Sequence, residues 1–181
     1  MNSYVLLLDL IPVIIFVVLD SLGKVKYAVI GAVLAAVLEL LFSHFYLGRI
    51  DEFSLIYVAL FLIFGGLSYK FNNSLFFKFK SVVLSAVTGL IFLVTHLMDN
   101  PFMVMFLDRY GQMVPQEIYR FYTPAQLRTI FARVSFYMIF GMFAHAGLVA
   151  WVALRYSTWW WFAARNVGIL IIMFLALQLS M

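Results

Sequence analysis

Between two long apolar runs, the chain reads FGGLSYKFNNSLFFKFKS over Phe64–Ser81. This stretch holds three of the five lysines of the chain and no acidic residue, and aromatic residues are interspersed among the basic ones. Each flanking run is long enough to cross a bilayer, which takes about 20 apolar residues in a helix. The stretch therefore predicts the end of one membrane helix, a short basic turn and the start of the next helix.

The composition of the whole chain is typical of a membrane protein. Of its 181 residues, 66% are hydrophobic and 11% are charged, whereas about a quarter of the residues of a soluble domain are charged. The net charge is +4, but the basic residues lie in short loops, which indicates membrane orientation rather than nucleic-acid binding. The absence of cysteine excludes disulfides and thiolate metal ligands. We expect an all-α, polytopic integral membrane bundle of five or six transmembrane helices.

Apolar windows predict six spans in a single transmembrane domain that covers residues 1–181. The spans are 4–22, 27–47, 53–69, 81–98, 134–154 and 159–179. The first is the weakest, because Asp9, Pro12 and Asp20 interrupt it and a proline removes one helical hydrogen bond. It either crosses the membrane fully or enters it only partway. Its flanks lack the features of a cleaved signal peptide, so we interpret it as a retained segment.

Residues 102–133 differ from the rest of the chain in mixing apolar and polar residues. Pro101 stops the preceding helix, and the pattern after it predicts an interfacial amphipathic helix and loop that lie on the membrane. Within this segment, Thr123-Pro124-Ala125-Gln126 predicts a helix N-cap with proline at the first helical position. The segment is either the best candidate surface for a partner protein or an inert interfacial loop.

The distribution of Lys and Arg predicts the orientation. The loops after spans one, three and five, with their flanks, hold seven basic residues, and the opposite side holds five spread over longer segments that also contain acidic residues. The positive-inside rule places the first group in the cytoplasm. That group consists of Lys24, Lys26, Lys70, Lys78, Lys80, Arg155 and Arg165.

Five residues of the central stretch are candidates for packing or lipid contact. Gly65 and Gly66 form either a hinge or a close contact between helices. Lys70, Lys78 and Lys80 are expected to bind anionic lipid headgroups, or simply to anchor the topology.

Ionisable residues inside the predicted spans form a possible intramembrane polar site. A charge at the bilayer centre costs about 2.5–3.5 kcal/mol, so each such residue needs a reason. Glu39, with Arg165 or a histidine as partner, could form a proton or substrate site, and the alternative is a polar contact inside the bundle. Asp9 belongs to a re-entrant functional element or caps a helix near the interface. Asp20 is expected to face water, as are Lys24 and Lys26.

Neither a metal site nor a catalytic site is expected from the sequence. His44, His96 and His145 have no histidine or carboxylate partner at the i, i+4 spacing of helical metal ligands. No nucleophile elbow of the Gly-x-Ser-x-Gly type occurs. We therefore expect no catalytic residue, metal or cofactor, and a non-enzymatic protein.

Several stretches together resemble the bacterial septation protein A family, also called inner membrane-spanning proteins. The central block is the most specific, and the similarity extends over most of the chain. The matching stretches are Asp9–Pro12, Phe64–Leu67, Phe71–Asn73, Phe77–Lys80, Pro101, and Trp161 with Arg165 and Gly168.

The resemblance implies a bacterial inner-membrane protein of septation and cell-envelope biogenesis. Such a protein acts by contacts with other membrane proteins and with lipids. Two alternatives stay open from the residues alone. One is a small transporter or channel that uses Glu39, and the other is an accessory subunit of a larger membrane complex.

Overall fold

The structure is a computed structural model that describes residues 11–47, 52–111 and 118–181. In these ranges the chain forms seven α-helices and one short 3₁₀ helix, with no β-strand. The α-helices are α1 (Ile11–Ser21), α2 (Val25–Leu47), α3 (Glu52–Phe71), α4 (Ser74–Leu97), α5 (Phe102–Tyr110), α6 (Pro124–Arg155) and α7 (Thr158–Ser180), and the 3₁₀ helix is Ile118–Arg120.

Four of these helices are long and apolar enough to cross a membrane. They are α4, α6, α7 and the Val25–Phe42 part of α2. Helix α1 (Ile11–Ser21) and the Val58–Phe71 part of α3 are shorter apolar helical segments. The predicted all-α membrane fold is thereby confirmed.

The turn between α3 and α4 is much shorter than the sequence predicts. The fourth span was expected from residue 81, but α4 begins at Ser74, so that only Asn72 and Asn73 separate it from α3. Asn72 adopts a left-handed conformation with φ 47°, which asparagine tolerates better than most residues. The Asn73 side chain accepts a hydrogen bond from the backbone N–H of Leu75 at 2.9 Å and so caps the new helix.

The predicted start of α6 is confirmed, although the helix is longer than expected. The backbone N–H of Gln126 donates to the Thr123 hydroxyl at 3.3 Å, and the N–H of Thr123 donates to the Gln126 side chain at 2.8 Å. This reciprocal pair is a capping box. The helix then continues for 32 residues, about 48 Å. Residues 124–133, predicted to belong to the interfacial segment, are therefore continuous with the fifth span.

Backbone contacts group the chain into two compact units. The first contains Met1–Ser81 and Ala150–Phe162, and the second contains Val82–Val149 and Ala163–Met181. The single transmembrane domain expected from the sequence stays a prediction.

Each unit has its own buried core. The first is built from aromatic residues, with Phe16, Phe61, Phe77 and Trp161 fully buried. The second contains a cluster of Phe92, Val134, Met138, Ile139, Met142 and Ala176.

Helix α5 packs in the second unit through one face. Val104 and Leu107 are buried, and the backbone N–H of Met103 donates to the hydroxyl of Ser135 on α6 at 2.9 Å. Met105 and Phe106 on the same helix are exposed. The helix is therefore amphipathic, as the sequence predicts.

Candidate functional site

The first unit contains a buried ion pair where three helices meet. Lys78 Nζ on α4 lies 3.7 Å from Asp20 Oδ2 at the end of α1, and their side chains are only 7% and 5% exposed. The hydroxyl of Thr158, the first residue of α7, donates a hydrogen bond to the same carboxylate oxygen. Removing two charges from water costs several kcal/mol per ion, so a buried pair needs both its partner and such extra hydrogen bonds.

A second buried lysine lies on the same helix, against aromatic rings. Lys80 is 1% exposed, and its Nζ lies 2.8 Å from the centroid of the Phe61 ring and 4.9 Å from that of Phe77. Phe77 in turn stacks on Phe16 with ring centroids 3.9 Å apart. An ammonium group over an aromatic face is attracted by the negative face of the ring, and more strongly when water is excluded.

These positions differ from the sequence interpretation of Asp20, Lys78 and Lys80. Asp20 was expected to face water and the two lysines to face lipid headgroups, yet all three side chains are buried. The reason is the early start of α4 at Ser74, which places both lysines within the helix instead of in a turn. Lys70, at the end of α3, is exposed, and its contact with lipid stays a prediction.

The two adjacent glycines of α3 have different surroundings. A Cβ atom at Gly65 would lie 3.1 Å from Val33 Cγ2 and 3.3 Å from Val29 Cγ1, both on α2. A Cβ atom at Gly66 would have no described neighbour within 4 Å. Close helix packing therefore involves Gly65, while Gly66 is exposed.

The second unit contains a buried serine–histidine contact that the sequence interpretation missed. Ser85 Oγ on α4 and His145 Nδ1 on α6 are 2.9 Å apart, and His145 Nε2 lies 3.2 Å from the backbone carbonyl oxygen of Arg165 on α7. The carbonyl can only accept a hydrogen bond, so Nε2 donates to it, and when the ring is neutral Nδ1 accepts the Ser85 proton. Every polar atom of the ring is thus satisfied by a contact between helices.

A glycine makes room for this histidine. A Cβ atom at Gly168 would lie 3.1 Å from His145 Cδ2. The available signal for this contact in the sequence was a polar residue, His145, on one predicted span and a small residue, Gly168, on another. The pairing of those spans could not be deduced from it.

The residues of the possible intramembrane polar site are placed as follows. Asp9 lies outside the described residues. Glu39 is half-buried on α2 in the first unit, and Arg165 is half-buried on α7 in the second unit. Among the described residues no group of three or more His, Asp or Glu side chains is arranged to hold a metal ion. A shared site of Asp9, Glu39 and Arg165 stays a prediction.

A comparison with known protein families finds one whose model matches almost the whole chain. The family model described as intracellular septation protein A matches residues 5–181. Several relatives that match the chain share the name inner membrane-spanning protein YciB. The one from Acidithiobacillus ferrooxidans is 29% identical over 168 residues, which are 92% of this chain and 84% of the relative.

Two further relatives are matched over shorter stretches. The protein from Cronobacter sakazakii is 30% identical over 81 residues, which are 45% of this chain and 46% of the relative. The protein from Histophilus somni is 34% identical over 89 residues, which are 49% and 50% of the two chains. No solved structure matches the chain significantly. The resemblance predicted from the sequence is confirmed by the match over residues 5–181: the chain belongs to the intracellular septation protein A family.

Proposed function

We propose that this protein is a non-enzymatic septation and cell-envelope factor of the bacterial inner membrane, and that it acts by contacts with other membrane proteins. The observation that carries the proposal is the family match over residues 5–181 of a chain whose described residues include four long apolar helices. The names of the family and of its relatives refer to intracellular septation and to the inner membrane.

The contacts of the buried polar groups favour a structural role for these groups over a catalytic one. Asp20 contacts Lys78 and Thr158, and Ser85 contacts His145. Each of these contacts links different helices. Polar side chains that hydrogen-bond across membrane helices hold the helices together. We therefore assign these groups to the architecture of the protein.

The exposed residues of α5 and of the turn after the 3₁₀ helix are the surface that we assign to partner proteins. Helix α5 leaves Phe106 exposed while it buries Val104 and Leu107. Phe121, after the 3₁₀ helix, is 79% exposed. Exposed aromatic residues beside a packed amphipathic helix suit protein contacts, in which aromatic side chains contribute much of the binding energy.

Site-specific photo-crosslinking in the native cell tests this proposal. The crosslinking amino acid benzoylphenylalanine replaces Phe106 or Phe121, which it resembles in shape, and the buried positions Val104 and Leu107 serve as controls. We expect positions 106 and 121 to capture proteins of the division or envelope machinery, and the buried positions to capture none. If positions 106 and 121 capture no such protein in cells that divide normally, the proposal is wrong.

A further inference from the structure

We propose that one end of the first unit binds anionic phospholipid headgroups through four exposed cations, Lys24, Lys26, Lys70 and Arg155. This surface, here called the basic end, differs from the lysine set that the sequence suggested, because Lys78 and Lys80 are buried. The proposal does not depend on the proposed role in septation.

Contacts within the first unit bring three connections of the chain to the basic end. The carboxylate of Asp20 joins the end of α1 to Lys78 near the start of α4 and to Thr158 at the start of α7. Lys26 Nζ near the start of α2 lies 5.3 Å from the centroid of the Tyr69 ring near the end of α3. The α1–α2, α3–α4 and α6–α7 connections therefore lie at the same end of this unit.

The exposed charge at the basic end is entirely positive in the described residues. Lys24, Lys26, Lys70 and Arg155 are all exposed. Asp20 is the only carboxylate described there, and it is 5% exposed and paired with Lys78. Because the ion pair removes the acid from the surface, the four cations face outward without a neutralising partner among the described residues of this end. The surface is complementary to a layer of phosphate groups.

Aromatic side chains indicate that these phosphates belong to lipids. The basic end carries exposed tyrosines, tryptophans and one phenylalanine, the residue types that lie at the level of membrane headgroups. A basic residue near an anionic membrane surface is attracted to its phosphate groups, and the aromatic residues fix the depth at which the cations lie. The exposed aromatic residues are Tyr27, Tyr69, Phe71, Tyr156, Trp159 and Trp160.

Lipid selectivity of the purified chain tests the proposal. The chain is reconstituted in phosphatidylcholine bilayers, and electron spin resonance measures the association of spin-labelled phosphatidylglycerol relative to spin-labelled phosphatidylcholine. We expect the wild type to prefer phosphatidylglycerol by about fivefold or more, the ratio that a single basic residue at an anionic surface supplies, with the preference falling as salt is raised. Lys24→Gln/Lys70→Gln should remove most of this preference, and Lys24→Arg/Lys70→Arg should keep it.

A second double variant separates a localised surface from a general effect of net charge. Arg109→Gln/Arg133→Gln removes the same charge from the second unit, where Asp99 and Asp108 are also exposed. Arg109→Gln/Arg133→Gln should reduce the preference for phosphatidylglycerol by less than half of the reduction that Lys24→Gln/Lys70→Gln causes. Circular dichroism and gel filtration verify that each variant is folded.

Three results would overturn the proposal. One is a wild type with equal association of the two lipids, a measurement that needs no variant. Another is an equal loss of preference in Lys24→Gln/Lys70→Gln and Arg109→Gln/Arg133→Gln. A third is displacement of phosphatidylglycerol by inorganic phosphate or by a soluble acidic peptide beyond the displacement that sodium chloride causes at the same ionic strength.

Discussion

At the scale of single residues, two glycines of α6 show that close packing between helices is confined to particular positions. On α6, a Cβ atom at Gly141 would collide with Cγ2 of Ile172 on α7, whereas one at Gly147 would have no described neighbour within 4 Å. Ile172 is β-branched and has little rotamer freedom in a helix, so it cannot easily move aside. Two glycines six residues apart on one helix thus have opposite surroundings.

The first prediction follows from this difference. Gly141→Ala should lower the free energy of unfolding by about 1–3 kcal/mol, because it overpacks a close contact. Gly147→Ala should leave stability unchanged or raise it by up to about 1 kcal/mol, because alanine favours the helix. Thermal unfolding in detergent micelles, followed by circular dichroism, measures both. Equal destabilisation by the two substitutions would show that Gly141 does not form the contact.

At the scale of single helices, several boundaries could be predicted from the sequence, because the residues that signal them are close together in the chain. The Thr123 cap of α6 and the α2 span are read directly from neighbouring residues. The α3–α4 turn was predicted too long because Lys78 and Lys80 were interpreted as turn residues. Burial of these lysines in α4 depends on Asp20 and Phe61, which are remote in sequence, and no local pattern shows such partners.

The second prediction concerns the cap of α6. Thr123→Ala removes the hydroxyl that accepts the Gln126 N–H, and it should lower the free energy of unfolding by about 1 kcal/mol. Hydrogen exchange should increase in the first turn of α6 and stay unchanged near Val149. Thr129→Ala is the matched control, since its hydroxyl bonds only to the carbonyl of Ala125 in the same helix. If Thr129→Ala has the larger effect, the capping box does not stabilise this end.

The family and the helical membrane fold were predictable at the scale of the whole molecule, while the pairing of helices was not. The central block identifies the family because its residues are contiguous. Contacts such as Ser85–His145 and Asp20–Lys78 bring together residues separated by many positions along the chain. Such contacts depend on which helices pack together, a property that apolar windows do not encode.

The third prediction concerns orientation, which we infer from the positive-inside rule. The chain has no cysteine, so single cysteines can be introduced without removing natural ones. Leu22→Cys, Phe71→Cys and Tyr156→Cys lie at the basic end and should be protected from a membrane-impermeant maleimide in intact cells. Phe121→Cys should be labelled. The opposite pattern, with the first three labelled and Phe121→Cys protected, would reverse the proposed topology.

Our central proposal is that the buried polar residues hold the helices together and do not carry out a reaction or move a proton. Lys78→Met should lower the free energy of unfolding by about 3–5 kcal/mol, because it leaves Asp20 buried without its cation. Asp20→Leu/Lys78→Met should restore most of this stability, since apolar residues often replace a buried ion pair at little cost.

The most direct measurement is septation by the Asp20→Leu/Lys78→Met variant in native cells whose only copy of the protein carries both substitutions. Septum spacing is measured by microscopy, and the amount of folded protein in the membrane is measured in the same cells. We predict normal septum spacing wherever the folded amount matches that of the wild type. A variant that is folded in normal amount but leaves septation defective would contradict the claim, because the charges themselves would then be needed for function.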